Sequence, residues 1–537
     1  MNTKIYNKIS NKILPVILGA SILFTSCNKY LDTAPDNRTE INSVTKVAQL
    51  IASAYPQASY AAMLNSRVDY VTDKGVGQET NSNIYPFFWR DVPDQSQDTP
   101  EYFWSKCYAS IAEVNHAIKA AEQLNEKDEV APYIGEGLII RSFSHFMLVS
   151  LYSKFYNQGG ENTSAGVPYI TEPETVVVQQ YERGTVDNVW TKAEEDLVNG
   201  LKLLGNDAVY NVPRYHFTQK AAHAYAARFY LYKGDWTKVI EHANTVFPVA
   251  ALNPQTKNVD ITNEANVYAA NNFQPWITTY AGVPSSEDIK VEYTKASNPS
   301  NLLLTEMPSR LSRYANTWRY GCSQSDVETT VKAKNATGAT WGFRSYSSSS
   351  THYYLPKFKE LFVRTSINAS SGTIYTIFPT FRNEEVLLNR AEAYAMLDNF
   401  DGALADLNVY CRHRNKSYVE KTHALTLDKI AKFYVNTVKD TENFFVKYNA
   451  YNSSTWSDEK KSLFLFILDC RRNEFMWEGL RYWDLVRYKI PVTHKSFVGD
   501  ENTLFPGDDR WVLQIPETAK LSGLELNPRV NLLSREW

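Results

Sequence analysis

Cysteine, charge of one sign and long apolar runs are all scarce in this chain of 537 residues. Five cysteines stand in unrelated contexts, with no CxxC and no Cys/His pair at ligand spacing, so neither a disulfide framework nor a zinc module is implied. Lys and Arg number 56 against 59 Asp and Glu, a net charge of −3 that offers no basic excess to a phosphate backbone, and nucleic acid is not an expected partner. Beyond residue 27 the longest apolar run is 463–468, far short of the roughly 20 residues that span a bilayer. The nine histidines are scattered without HExxH, and neither GxSxG nor a phosphate-cradling glycine loop occurs. No metal, cofactor or reaction is specified, and the chain reads as a non-enzyme. What is present is 43% apolar and 13% aromatic residues against 21% charged, ample for a packed core and against wholesale disorder.

The start of the chain has a different character. Lys4, Lys8 and Lys12 precede any acid, and residues 13–24 then run apolar. A basic segment followed by a short hydrophobic one is an export signal rather than a spanning helix. Thr25 and Ser26 stand directly before Cys27, which resembles the bacterial lipobox. That resemblance implies a signal peptide over 1–26, lipidation of Cys27 and a body held at a membrane by acyl chains, each buried methylene adding about 0.8 kcal/mol. Loss of 1–26 removes three lysines and leaves a mildly acidic protein.

Apolar residues from Pro100 onward recur at helical spacing, at Phe103, Cys107, Ile111, Val114 and Ile118. Further helices are predicted over 135–155, 186–204, 218–233 and 235–247, the last two split by Gly234. The segment Ala227 to Trp236 resembles Ala391 to Phe400: a small residue, an aromatic (Tyr230 or Tyr394), a turn and then a second amphipathic helix. Small residue, aromatic and turn at these offsets are similar to tetratricopeptide hairpins. Between the copies, 248–380 is dense in Asn, Ser, Thr, Gly and Pro yet rich in Trp and Tyr, and is read as ordered loops with short strands. The expected fold is therefore mainly α: a tetratricopeptide-like hairpin scaffold over 27–247 with an aromatic loop at 70–100, a loop-rich insertion over 248–380, and a helical region over 381–537. After residue 27 these make one composite unit.

If 471–487 is one helix, Arg471, Glu474, Glu478 and Arg481 form a stripe of alternating charge that can satisfy itself. A glycosidase pair at Glu474 and Glu478 is disfavoured, because surrounding arginines hold carboxylates ionised where such a site needs a proton donor. The segment from Arg471 through Gly479 to Arg487 resembles the C-terminal signature of the SusD/RagB family. Arg382, Glu385, Leu387, Leu388, Ala391 and Glu392 are similar to a second marker of that family, and Ile515-Pro516 and Asn527-Pro528 to its closing pattern. The resemblance implies an outer-membrane lipoprotein facing the cell exterior. Such a protein captures oligosaccharides or peptides and hands them to a SusC-like TonB-dependent transporter, without chemistry. A structural lipoprotein docking partners through its helical face is the alternative.

Arg382, Glu385, Glu392, Arg471, Glu474, Glu478 and Arg481 are read as structural ion pairs. For a ligand face the expectation rests on flat rings that cover the C–H face of a sugar while polar neighbours take its hydroxyls. Trp89 with Arg90 and Asp91, Trp276 with Tyr280, Trp318 with Arg319 and Tyr320, and Trp341 with Arg344 satisfy that pattern locally, and Asp73 resembles part of a ligand-side family loop.

Overall fold

Helix starts are written in the sequence as capping side chains. Ser43 accepts from the Lys46 N–H ahead of α1 (Val44–Ser53), and Thr99 from Tyr102 ahead of α2 (Pro100–Ala121), whose first residue is a proline that has no N–H to leave unpaired. The helix α3 (Lys127–Tyr152) follows a short turn, and Thr185 caps α4 (Val186–Leu203). Thr218 opens α5 (Gln219–Lys233), Gly234 closes it at φ +80°, and Asp235 caps α6 (Trp236–Val246). The computed structural model describes residues 40–176, 178–257, 263–274 and 285–529; Cys27, Trp276 and Tyr280 lie outside them.

The helix α3 begins eight residues before the predicted 135, since Asp128 and Glu129 suit a first turn, and it carries Pro132 inside, where the Asp128 carbonyl loses its helical donor. By length and composition it is apolar enough to cross a membrane, contrary to the sequence expectation, yet 89% of its most apolar stretch is buried in the bundle. It also carries Glu136, Arg141 and His145 inside, and Arg141 is paired with Asp196 of α4 at 2.7 Å. It is a core helix of the folded body.

The second hairpin pairs α7 (Asn383–Met396) with α8 (Phe400–Arg414), and α7 packs against both α5 and α6. The two tetratricopeptide-like hairpins, far apart in the chain, are neighbours in space. What separates them in sequence returns on a three-stranded antiparallel sheet of β1 (Asn301–Pro308), β2 (Glu360–Arg364) and β3 (Gly372–Arg382), in the order β1-β3-β2. β3 runs directly into α7.

Region 248–380 holds more regular structure than the expected loops and short strands. Helices Glu264–Asn272, Ser286–Thr294, Leu311–Thr317 and Gln324–Thr329 are six to nine residues long, too short for a 3.6-residue period to be visible in sequence. A second correction falls at the C-terminal signature. It is not one helix: α9 (Asp458–Glu474) stops, Trp477 and Gly479 take left-handed conformations at φ +70° and +80°, and α10 (Leu480–Arg487) starts in a new direction. A Cβ on Gly479 would lie 3.0 Å from the Ala61 Cα, so backbone contact as well as φ requires glycine there. Residues 42–537 cluster as one unit.

Candidate functional site

The break after Glu474 leaves Glu474 and Glu478 sharing Arg382 and sends Arg471 and Arg481 to separate partners. Arg382, the last residue of β3, lies 2.9 Å from Glu474 and 3.0 Å from Glu478. Arg414 of α8 bridges Glu474 and Glu384, both at 2.8 Å. Lys357 reaches Glu478 at 2.5 Å and donates to the Glu474 carbonyl, while Tyr293 and Tyr410 donate their hydroxyls to Glu478 and Glu474. All six charged side chains are buried, three of each sign, so the cluster is internally neutral. Burial alone would raise the Glu474 pKa, but Arg414 and Arg382 outweigh it and bring the value down to about 2. Glu474 is thus an anion at neutral pH and has no proton to donate.

A second cluster sets Arg471 against Asp484 at 2.9 Å, and Arg487 against Glu392 at 2.5 Å and Asp484 at 2.7 Å. Arg228 of α5 pairs with Glu385, and Arg481 with Asp69 at 2.6 Å. Glu384, Lys357 and Asp69 escaped sequence reasoning; Glu384 pairs locally with Arg382 at 3.1 Å, but the partners Arg414, Glu478 and Arg481 lie 30 to 412 residues away.

This frame holds a set of loops together on one face. Thr72–Asp73 pairs antiparallel with Tyr320–Gly321, and Gln78 bridges Trp318 in parallel. The hairpin of Tyr346–Ser347 and Tyr353–Tyr354 joins the same face through Ser348, which donates to the Asn316 carbonyl, and through the Tyr353 N–H, which donates to that of Cys322. The turn between Val492–Lys495 and Glu501–Leu504 adds Phe497, whose N–H donates to Asp73 at 3.0 Å.

At the centre Asp73 accepts two hydrogen bonds from Arg319, at 2.6 and 2.9 Å, and one from the Gly75 N–H. Burial would raise the Asp73 carboxyl, but these hydrogen bonds prevail and hold it below its ordinary value. Its side chain is only 2% exposed, against 27% for Arg319, so the guanidinium is the member turned outward, reaching Glu79 at 2.6 Å. Val76, Phe497 and Val498, all more than half exposed, flank it with apolar surface. Charged hydrogen-bonding groups beside an apolar rim can hold a ligand that has both hydroxyl and C–H faces. Phe497 and Val498 were missed; an apolar pair inside the turn Ser496 to Asp500 has no helix or strand period to bury it, and that was the available signal.

The predicted rings occupy other places. Trp89, Trp318, Tyr320 and Trp341 are buried, so none is an exposed platform. Tyr320, Phe87, His494 and Trp89 stack in one column with centroid spacings of 4.3, 4.4 and 4.3 Å, and His494 is fixed by the carbonyls of Phe87 and Val68. Trp318 stacks on Tyr314 at 4.1 Å. These rings are the private core of the loop face, because segments without long helices must bury their own large side chains, at about 1.5–3 kcal/mol each for full burial. Trp341 belongs elsewhere, stacked on Phe466 of α9. Arg90 and Asp91 are exposed, with Asp91 paired to Arg529 at 2.8 Å, and both line a separate cleft of about 630 Å³ beside Arg67 and Glu101.

A family model described as "Starch-binding associating with outer membrane" matches residues 29–231, and the SusD family model matches residues 173–503. No curated protein matches the chain. Among solved structures, a SusD superfamily protein from Bacteroides thetaiotaomicron is 18% identical with a TM-score of 0.58, covering 91% of this chain and 100% of that one. A protein from Bacteroides vulgatus described as a putative sugar binding protein is 19% identical, with a TM-score of 0.58 and coverage of 91% and 99%. A SusD-like carbohydrate binding protein from the same species is 14% identical, with a TM-score of 0.58 and coverage of 93% and 100%. At these identities the likeness is one of fold, a helical scaffold with tetratricopeptide-like hairpins, and together with a family model matched over more than half its length it means that this chain belongs to the SusD family.

Proposed function

We propose that this protein is a lipid-anchored outer-membrane protein facing the cell exterior, which captures oligosaccharide or peptide nutrients and passes them to a SusC-like TonB-dependent transporter. Membership of a family whose matching model is described as starch-binding and outer-membrane-associated supports the reading, as do the carbohydrate-binding descriptions of two structural relatives. The observation that carries it is the loop face: Arg319 held outward by Asp73 among exposed Val76, Phe497 and Val498. Cys27 supplies the proposed anchor.

Capture rather than catalysis follows from the state of the carboxylates. Glu474 and Glu478 share Arg382, and Glu474 is ionised far below neutral pH, so Glu474 is not the proton donor that glycoside cleavage needs. The test is native electrophoresis of the purified chain in gels cast with single polysaccharides, beside titration with peptides. Retardation in one gel, with the ligand recovered unchanged after prolonged incubation, is expected. Product formation overturns the reading, and failure to bind any glycan or peptide while a barrel partner is held stably favours an assembly role.

A further inference from the structure

A cleft of about 590 Å³, lined by none of Asp73, Arg319 and Phe497, opens between the C-terminal end of α3, the turn 447–451, the end of α10 and the segment 506–512. Its volume falls in the range of small-molecule sites, about 300–1,000 Å³. Tyr156, Tyr448, Tyr451 and Trp511 line it. Three of these rings are braced from behind: Tyr156 on Trp190 at 5.1 Å, Tyr451 on Tyr488 at 5.4 Å and Trp511 on Tyr482 at 5.7 Å. The Trp511 indole N–H is also tied to the Phe505 carbonyl at 2.9 Å. Braced rings lose little freedom when a ligand covers them.

The backbone beside the cleft is strained. Asn449, Tyr451, Asn452 and Lys489 all sit at positive φ, between +49° and +58°, a region that non-glycine residues occupy at a cost and that gathers at ligand sites. Charge supplies the second element. Lys154 and Lys489 are exposed lining residues with no ion pair among the described residues. Of the other lining charges, Lys447 is paired to Glu442, Asp508 to Arg510, and Arg487 to Glu392 and Asp484, while Asp509 makes no ion pair among the described residues. Arg487 is buried, and its Nε has no acceptor among the described residues. Two free amines against one carboxylate leave a positive rim on an aromatic wall.

We propose that this cleft is a second binding site, separate from the loop face, for an acidic oligosaccharide: sugar rings lie on the half-buried Tyr156 and Tyr451, with buried Trp511 behind them, while their carboxylates meet Lys154 and Lys489. Rings alone would accept a neutral glycan, and amines alone any anion; the combination selects a uronate chain.

The test uses full-length protein in a zwitterionic, sugar-free detergent, with trigalacturonate as probe and maltotriose as its neutral counterpart, read by calorimetry and by tryptophan fluorescence. Saturable binding of trigalacturonate is expected, weakening as salt rises from about 20 to about 300 mM. In the Lys154→Gln/Lys489→Gln double variant the affinity should fall by about tenfold or more, and in Tyr451→Ala it should also fall. The charge-matched surface control Lys421→Gln/Lys439→Gln should bind as the unaltered chain does. Absence of binding up to about 10 mM trigalacturonate overturns the proposal. So does equal affinity for maltotriose, or undiminished binding by the Lys154/Lys489 variant. The loop-face reading is judged by other ligands on Arg319 and Phe497 variants, so the two fail independently.

Discussion

The Arg228 guanidinium and the Glu385 carboxylate, 157 positions apart in the chain, meet side by side, Nε to Oε1 and Nη2 to Oε2 both at 2.6 Å. Arg228 lies on α5 and Glu385 on α7, so this pair joins the two tetratricopeptide-like hairpins, and its remaining reach extends to the Thr380 carbonyl of β3. The guanidinium also lies over the Phe381 ring at 4.1 Å, in a buried setting where an unpaired charge is costly.

Removing one member of this pair is accordingly worse than never having had it. Glu385→Leu and Arg228→Met are each expected to destabilise the fold by about 3–5 kcal/mol, and the double variant Arg228→Met/Glu385→Leu by much less than the sum. Chemical denaturation of the four proteins checks this; simple additivity would deny the coupling.

Acid sensitivity should trace to Glu474. Its folded-state pKa lies below the ordinary carboxylate value, so the stability it contributes is fully present above pH ~4.5 and is lost as pH falls toward about 2. The loss is expected to be on the order of 3 kcal/mol. Thermal melts from pH 6 to pH 2 should show a shallower acid decline for Glu474→Gln, starting from a lower neutral stability. An acid limb as steep as that of the unaltered chain would point to other carboxylates.

Burial separates the roles of two aromatics on the loop side. Trp318→Ala should cost about 3–5 kcal/mol of stability, as expected for a large ring deleted from a core. Phe497→Ala should change stability by no more than about 0.5 kcal/mol, as at most surface positions, and should reduce retardation in the polysaccharide gel that slows the unaltered protein. Unfolding midpoints and gel mobility, measured on both variants, decide the matter. A stable Trp318→Ala protein would contradict its place in the core.

Anchoring is tested at Cys27. The Cys27→Ala variant is expected to appear in the soluble fraction after export, and a fatty-acid label to be confined to the unaltered chain. Firm membrane attachment of the variant, or no label on either form, would remove the anchor from the proposed function.

The parts of the fold that could be read from sequence are those with local causes. Thr99 before Pro100, Thr185, Thr218 and Asp235 cap the predicted helices within a residue or two, because a capping side chain acts three positions along the chain. The likeness of the Ala227 and Ala391 segments is also local, and both form hairpins. Trp477 and Gly479 defeated the single-helix reading because a left-handed turn spoils the register of everything after it, and one non-glycine residue at φ +70° leaves no sign in sequence. Trp89, Trp318 and Tyr320 show the same limit for the site. A ring flanked by polar residues looks alike whether it faces solvent or stacks in a column, and only the partners Phe87, His494 and Tyr314 decide.

Sequence by itself therefore determined the helical scaffold, the family likeness and the residues that carry buried charge, since periodicity, capping and composition act over a few positions. Tertiary structure alone decided which cation meets which anion, that Arg319 and not Asp73 is turned outward, and that the cleft beside Tyr451 has at its rim two amines with no ion pair among the described residues. Those outcomes depend on distances between segments hundreds of residues apart, which close packing and charge pairing fix only once the whole chain has folded.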